Sequence, residues 1–143
     1  MNEPTPIPLA QIAARTRYPL RAFEFVRLGL EFTVHRIHSQ PETLDEHERH
    51  VSGEQLSLGL RDYAIEKYGR LARHMLSHWN IHRTEDFGQI VFAMVNGNLM
   101  QASPGDSVHD FDNVFDFEGS FNVDVPVEDI PLEADPFNTV GNG

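Results

Sequence analysis

The sequence predicts a mainly α-helical fold: a small helical bundle with a helix-turn-helix-like core and an acidic C-terminal extension. Apolar residues recur every three or four positions in four segments between residues 20 and 97, which is the spacing of one helix face. Residues that start or stop helices bound these segments. All 11 basic residues lie before residue 84, so a near-neutral body is separated from an acidic end.

Length and composition limit the organisation of the chain. With 143 residues and no cysteine, it is expected to form one domain without disulfides or thiolate metal sites. We divide it into a flexible proline-rich arm at 1–17, a single helical domain at 18–121 and a disordered acidic tail at 122–143. The N-terminus lacks the basic and apolar regions of a signal peptide, which predicts a cytoplasmic protein.

The first helix is predicted over residues 20–38. Pro19 suits the first turn, because the N–H that proline lacks has no helical partner there. Phe25, Leu28 and Phe32 lie off the main apolar stripe, so the helix is either deeply packed or offers a second surface to a partner, and we favour deep packing. The stripe itself consists of Phe23, Val26, Leu30, Val34 and Ile37.

The second and third helices follow a polar loop at 39–50. Ser52 and Gln55 have the spacing of a capping box, in which each side chain bonds the backbone N–H of the other residue. Gly69 is suited to a left-handed C-cap and ends the second helix. The third helix is predicted over 70–79, and Asn80 ends it.

The fourth helix is predicted to begin at Thr84, a capping residue followed by acids that the helix dipole favours. It ends at Gly97. Helices joined by such tight turns are typical of a helix-turn-helix arrangement. A short β hairpin, or wing, after residue 97 is the alternative, and only Leu99 and Met100 suggest it.

The segment from residue 106 to residue 121 alternates acids with aromatic rings. Each phenylalanine would bury a large apolar area, so we expect this segment to dock on the chain's own body or on a basic partner. Phe92 falls away from the inner face of the fourth helix and is a candidate exposed contact. The predicted partner-binding residues are Phe92, Phe111, Phe115, Phe117, Asp110, Asp112 and Asp116. A modestly basic patch that could guide docking consists of Arg61, Lys67, Arg70, Arg73 and Arg83.

Several motifs lie at spacings typical of one family. They are HVSGEQ at 50–55, HWNI at 78–81, TEDFGQIVF at 84–92 and FDF at 115–117. Over about residues 16–121 the chain resembles a family of small uncharacterised bacterial proteins with no known activity. The resemblance implies that residues 52–121 form one structural unit that includes the aromatic and acidic segment. Where that family usually has glycine, this chain has Asn80, which also tolerates a left-handed turn.

Catalysis and metal binding have weak support. The chain lacks a glycine-rich phosphate loop and a nucleophile elbow, and a Ser52–His50–Asp62 site is less well supported than Ser52 as a helix cap. His74 and His78 have the spacing of a zinc pair, but a third ligand is missing. The acids after residue 109 lack the spacing of a calcium loop. We therefore predict no enzyme activity, no cofactor and no metal, with the two histidines as low-ranking metal candidates.

The sequence favours a non-enzymatic protein–protein interaction or regulatory adaptor with a partner that has a basic surface. The alternative is a nucleic-acid-associated helix-turn-helix or winged-helix-like regulator that is auto-inhibited by the acidic tail. A net charge of −11 disfavours nucleic acid for the full chain, because such affinity comes from Lys and Arg. The outer face of the fourth helix also has no cation, since it would present Asp86, Gly88, Gln89, Ala93 and Asn96. No membrane partner is expected.

Overall fold

The computed structural model of the protein describes residues 5–45 and 48–121, and these residues form helices and turns without any strand. The α-helices are α1 Leu9–Ala14, α2 Leu20–Ile37, α3 Gly53–Tyr68, α4 Ala72–His78, α5 Thr84–Asn96 and α6 Phe117–Ser120. Short 3₁₀ helices lie at Pro41–Thr43, Gly69–Leu71 and Val108–Phe111. The predicted mainly helical class is confirmed. Among the described helices, none combines the length and apolarity needed to cross a bilayer.

Residues 9–17 differ from the flexible arm that the prolines predicted. α1 buries Ile12 and Ala13, and the Ile12 side chain covers the α-carbon of Gly97. The Ile7 N–H also donates a hydrogen bond of 2.9 Å to the Gly97 carbonyl. The prolines therefore precede a short helix. This helix packs on the end of α5 because α5 offers an apolar surface and a backbone carbonyl that can accept a hydrogen bond there. Residues 1–4 lie outside the described part of the chain, as does the predicted tail at 122–143.

The predicted turns around α3 and α4 are confirmed. The Ser52 N–H donates to Gln55 Oε1 at 2.9 Å, and the Gln55 N–H donates to Ser52 Oγ at 3.0 Å, which completes the capping box. Gly69 and Asn80 both have positive φ angles, of 55° and 68°. These local signals set the ends of both helices, because each satisfies backbone groups that the helix leaves unpaired.

The end of α5 excludes the predicted hairpin. Gly97 follows the helix as expected, but the left-handed residue is Asn98, with a φ of 64°. The Leu99 N–H then donates to the Met94 carbonyl at 2.9 Å. This bond turns residues 99 and 100 back against the helix end, so they do not pair as a strand. Residues 98–107 contain no strand, and the predicted wing is wrong.

The start of α5 also differs from the prediction that Thr84 caps it. Arg83 occupies the N-cap position, and Thr84 is fully buried within the first turn. The capping acceptor is Asp86, whose Oδ2 receives the N–H groups of His82 and Arg83 at 2.8 Å and 3.3 Å. A buried carboxylate at the third helical residue therefore binds the two N–H groups just before α5, and the Thr84 hydroxyl does not cap the helix.

α2 and α3 cross at small residues, which changes the buried face of α2. A side chain at Gly29 would overlap Leu60, and one at Gly59 would overlap Thr33, so the two helices approach closely there. Ile37, on the predicted stripe, is 39% exposed. The residues of α2 that are buried are Ala22, Phe23, Phe25, Val26, Gly29 and Thr33.

Gly59→Ala tests this close crossing. A methyl group at this position would meet three atoms of the buried Thr33 side chain, so we expect the free energy of unfolding to fall by about 1–3 kcal/mol. Urea denaturation measures the loss. Gly105→Ala is the matched control, since nothing lies within 4 Å of a side chain there. Equal stability of the two variants would contradict the close crossing.

Candidate functional site

Residues 107–121, which we call the docked segment, return to the helical body and pack on α3 and α5. The ring of Phe111 lies between two buried glycines: a Cβ at Gly53 would be 3.0 Å from Phe111 Cε1, and a Cβ at Gly88 would be 3.0 Å from Phe111 Cβ. Two missing side chains therefore form a slot for this ring. Phe111 is 3% exposed as a result.

The first turn of α5 supplies hydrogen bonds to the docked segment. The Thr84 hydroxyl donates to the Phe111 carbonyl at 2.6 Å and accepts from the Val114 N–H at 3.1 Å. Glu85 Oε2 accepts from the Asn113 N–H at 3.1 Å. Because Thr84 is fully buried, these two bonds satisfy its hydroxyl group, which water cannot reach.

An aromatic cluster fixes the end of the docked segment. The rings of Phe115 and Phe117 stack at a centroid distance of 5.4 Å, and Phe121 meets Phe117 at 5.0 Å. Phe87 of α5 lies 5.9 Å from Phe117. The guanidinium of Arg61 lies 5.7 Å from the Phe115 ring, so one residue of the predicted basic patch does contact this segment.

These contacts place four of the predicted partner-binding residues within the fold. The segment docks on the chain's own body, which was one of the two alternatives, and this buries Phe111 and Phe117 and half-buries Phe115. Phe92 is half-buried rather than exposed, and its ring meets that of Phe111 edge-on at 6.5 Å. None of these four rings is therefore an exposed anchor.

The three predicted aspartates are exposed but have local partners. Asp110 Oδ2 accepts from the Ser107 N–H at 2.9 Å, and Asp116 Oδ2 accepts from the Gly119 N–H at 3.0 Å. Asp112 Oδ2 lies 3.1 Å from His109 Nδ1. These carboxylates thus stabilise the turns of the docked segment, and their exposed charge remains on the surface.

The remaining predicted candidates lie on α3, on α4 and in the turns beside them. Lys67, Arg70, Arg73 and Arg83 are exposed, whereas Arg61 is half-buried and bonds Asp62 Oδ1 at 2.9 Å. His74 and His78 are exposed on α4. Within the described residues, no group of three or more His, Cys, Asp or Glu side chains is arranged to hold a metal ion.

A concave groove of about 1100 Å³ lies between α2, residues 41–45 and 49–53, and residues 99–111. We call it the α2 groove. Buried Leu56, Val91 and Phe111 line its base, and exposed aliphatic side chains stand at its sides: Leu28 is 53% exposed and Leu99 is 36% exposed. Half-buried apolar residues complete the lining, namely Leu30, Val34, Val51, Val95 and Met100.

Charged residues around the α2 groove are mostly acidic. Among the described residues, the lining contains six carboxylates against two arginines, Arg27 and Arg49. One of the acids, Asp106, has its Oδ2 3.0 Å from His50 Nε2, which links the loop before α3 to the chain after α5. The acids are Glu24, Glu31, Glu42, Asp45, Asp106 and Asp110, and all but the half-buried Asp106 are exposed.

A second polar cluster, at the start of α5, was missed by the sequence reasoning. Asp86 is 2% exposed, and its Oδ1 accepts from the buried Tyr18 hydroxyl and from Arg17 Nη2, the latter at 2.9 Å. Its Oδ2 accepts the N–H groups of His82 and Arg83, which directly precede α5. The position of Asp86 in the first turn of a helix was the only signal in the sequence.

The protonation states of this cluster are held by its own contacts. Burial by itself raises the pKa of Asp86, but the hydrogen bonds from Tyr18, the His82 N–H, Arg17 and the Arg83 N–H outweigh burial, and the pKa is lowered. Burial and the hydrogen bond to Asp86 raise the pKa of Tyr18. With four donors on one carboxylate, the cluster joins α5 to the chain before α2.

Comparison with protein-family models, curated proteins and solved structures finds no match for this chain. The resemblance to a family of uncharacterised bacterial proteins therefore stays a prediction. The candidate site is therefore defined by its geometry alone: it is an apolar groove, bordered by acids, on a small helical domain.

Proposed function

We propose that the protein is a non-enzymatic protein–protein interaction or regulatory adaptor that holds a segment of its partner in the α2 groove. The observation that carries this proposal is the pair of exposed aliphatic side chains, Leu28 and Leu99, beside a concave apolar base. Exposed apolar residues around a concave surface are typical of binding sites.

The size of the groove favours a macromolecular segment over a small molecule. Its volume of about 1100 Å³ is at or above the upper end of typical small-ligand pockets, about 300–1,000 Å³. α2 contributes one face over three turns, from Glu24 to His35. Grooves of this form receive amphipathic helices, whose apolar residues recur at three and four positions.

The contacts of the residues considered for a catalytic site, Ser52 and Asp62, support a non-enzymatic role. Asp62 bonds Arg36 and Arg61, at 2.7 Å and 2.9 Å. Ser52 is engaged in the capping box of α3. Two of the three residues in the Ser52–His50–Asp62 arrangement considered from the sequence therefore make other hydrogen bonds.

The alternative, a helix-turn-helix-like nucleic-acid regulator that the tail inhibits, has one supporting observation. Lys67, Arg70, Arg73 and Arg83 are exposed around α4 and before α5. Against it, the first turn of α5 is closed: Asp86 is buried and Phe111 covers Gly88, so this turn is not free to enter a major groove.

A chain that ends at Phe121 separates the two functions, because it keeps the docked segment and removes the tail. We expect it to stay folded and to bind neither DNA nor RNA at low salt, where phosphate contacts are strongest. Electrophoretic mobility shift with the full-length chain as control measures this. Binding by the shortened chain alone would favour the auto-inhibited regulator.

Leu28→Gln tests the adaptor function. The substitution keeps helix propensity and removes an exposed apolar contact, so partners captured from the native cell should be depleted about tenfold, the effect of losing roughly 1.4 kcal/mol of binding free energy. Quantitative mass spectrometry after affinity capture measures this. Leu20→Gln is the matched control: Leu20 is also exposed on α2, at 38%, but does not line the groove. Identical partner sets for both variants would contradict the proposal.

A further inference from the structure

We propose that the occupant of the α2 groove is a cationic amphipathic segment of another protein. Its aliphatic side chains would contact the base of the groove, and its Lys or Arg residues would face the surrounding acids. This inference rests on the proposed function, since it names the chemistry of the partner that the groove would hold.

The apolar part of the recognition follows from the depth of the groove. Leu56, Val91 and Phe111 are buried at its base, and Leu28 and Leu99 are exposed at its sides. An aliphatic side chain that covers Leu28 removes apolar area from water on both molecules, worth about 25 cal/mol per Å². Aliphatic residues spaced three or four positions apart would meet this surface along a helix.

The charged part follows from the exposed acids. Glu24 and Glu31 lie on the same face of α2 as Leu28, and Glu42, Asp45 and Asp110 border the groove from the other chain segments. Only Arg27 and Arg49 oppose them among the described lining residues. A cation near several exposed carboxylates is attracted over about 10 Å at 0.1 M salt, whereas an acidic segment would be repelled.

Charge also argues against occupancy by this chain's own tail. Residues 122–143 carry five acids and no Lys or Arg, so the tail would bring like charge to an acidic groove. The full chain has a net charge of −11, which disfavours a second copy as well. A different, basic partner segment fits the groove best.

The length of the segment follows from α2. Groove-lining residues extend from Glu24 to His35, a span of about 16 Å at 1.5 Å per residue. A partner helix of about 11 residues would match it, with three or four aliphatic side chains on the face that meets the groove.

The experiment uses labelled model helices and the full-length protein. One peptide combines Leu at helical spacing with Lys, a second replaces each Lys with Glu, and a third replaces each Leu with Ser. Fluorescence anisotropy measures binding at about 0.01 M and about 1 M salt, where the Debye lengths are about 30 Å and 3 Å. We expect the Leu/Lys peptide to bind at least tenfold more tightly than either of the others, and more weakly at high salt.

Matched variants separate groove binding from general attraction to an acidic protein. Leu28→Gln should weaken the Leu/Lys peptide about tenfold, and Glu31→Gln should weaken it and lower its salt dependence. Leu20→Gln and Glu66→Gln are the controls, because both residues are exposed but neither lines the groove. Binding of the Leu/Lys peptide that Leu28→Gln leaves unchanged would overturn the inference.

Other outcomes distinguish this inference from the function beneath it. Equal binding of the Leu/Glu peptide, still lost in Leu28→Gln, would overturn the cationic partner and keep the groove as a binding site. Dimerisation in sedimentation that Leu28→Gln abolishes would make a second copy the occupant and overturn the inference. No peptide binding, together with unchanged partner capture by Leu28→Gln, would overturn both this inference and the proposed adaptor function.

Discussion

Phe111→Ala is expected to lower the free energy of unfolding by about 3–5 kcal/mol, the usual cost of removing a buried phenylalanine ring. Phe111 fills the slot between Gly53 and Gly88, and neither glycine has a side chain that could move into the space. The ring also borders the α2 groove. Urea denaturation, followed by the fluorescence of the buried Trp79, measures the loss.

A second measurement detects whether the docked segment is released from the body. Limited proteolysis should cut the Phe111→Ala chain faster between residues 99 and 121, because the segment loses its deepest contact. Asp112→Ala is the control, since Asp112 is exposed and its contact is with neighbouring His109. A Phe111→Ala variant as stable and as resistant as this control would contradict the slot.

Asp86→Ala is expected to lower the free energy of unfolding by about 3–5 kcal/mol, as for removal of one partner from a buried charged network. The change leaves the buried Tyr18 hydroxyl and the N–H groups of His82 and Arg83 without their acceptor. Asp86→Asn should cost less, because its amide oxygen still accepts hydrogen bonds. Urea denaturation at about pH 7 compares the three chains.

The pH dependence gives this second prediction its own test. Because the folded-state pKa of Asp86 is lowered, the carboxylate stabilises the fold above the ordinary carboxyl pKa of about 4 and loses that contribution as pH falls through the lower, folded value. The stability difference between wild type and Asp86→Asn should therefore shrink in acid. A difference that stays constant from neutral to acid pH would contradict an ionised Asp86.

Tyr18 should lose its contribution to stability at alkaline pH, whereas Asp86 loses its contribution in acid. Its pKa is raised by burial and by the bond to Asp86, so its contribution is complete below the ordinary tyrosine pKa of about 10 and is lost as pH rises through the raised value. Tyr18→Phe removes the hydroxyl and should make the fold less sensitive to alkaline pH.

Helix boundaries could be predicted where the signal is local. The Ser52 and Gln55 capping box and the positive φ angles at Gly69 and Asn80 occur as expected. Each involves hydrogen bonds or backbone angles within a few residues, so composition and spacing reveal them. The same rules failed at Thr84, because its hydroxyl bonds Phe111, 27 residues away.

The candidate site could be predicted only in part. Leu28 lay off the main apolar stripe, which raised a second surface as an alternative, but deep packing was preferred. The outcome depends on where α3 crosses α2, and that crossing is set by Gly29, Gly59 and Thr33. Hydrophobic periodicity gives no weight to small residues, so it placed Phe23 and Val26 correctly in the buried face of α2 but also placed the exposed Ile37 there.

By itself the sequence determined the helical class, most helix ends and the separation of charge along the chain. Only the tertiary structure decided that the docked segment packs on its own body, that α1 covers the end of α5 and that Leu28 borders an acidic groove. Caps and periodicity act over a few residues, whereas burial depends on partners far apart in the chain, as with Tyr18 and Asp86, which are 68 residues apart. The charge split therefore describes the sequence alone, whereas the α2 groove is made by segments that are far apart in the chain and takes four of its six described acids from before residue 84.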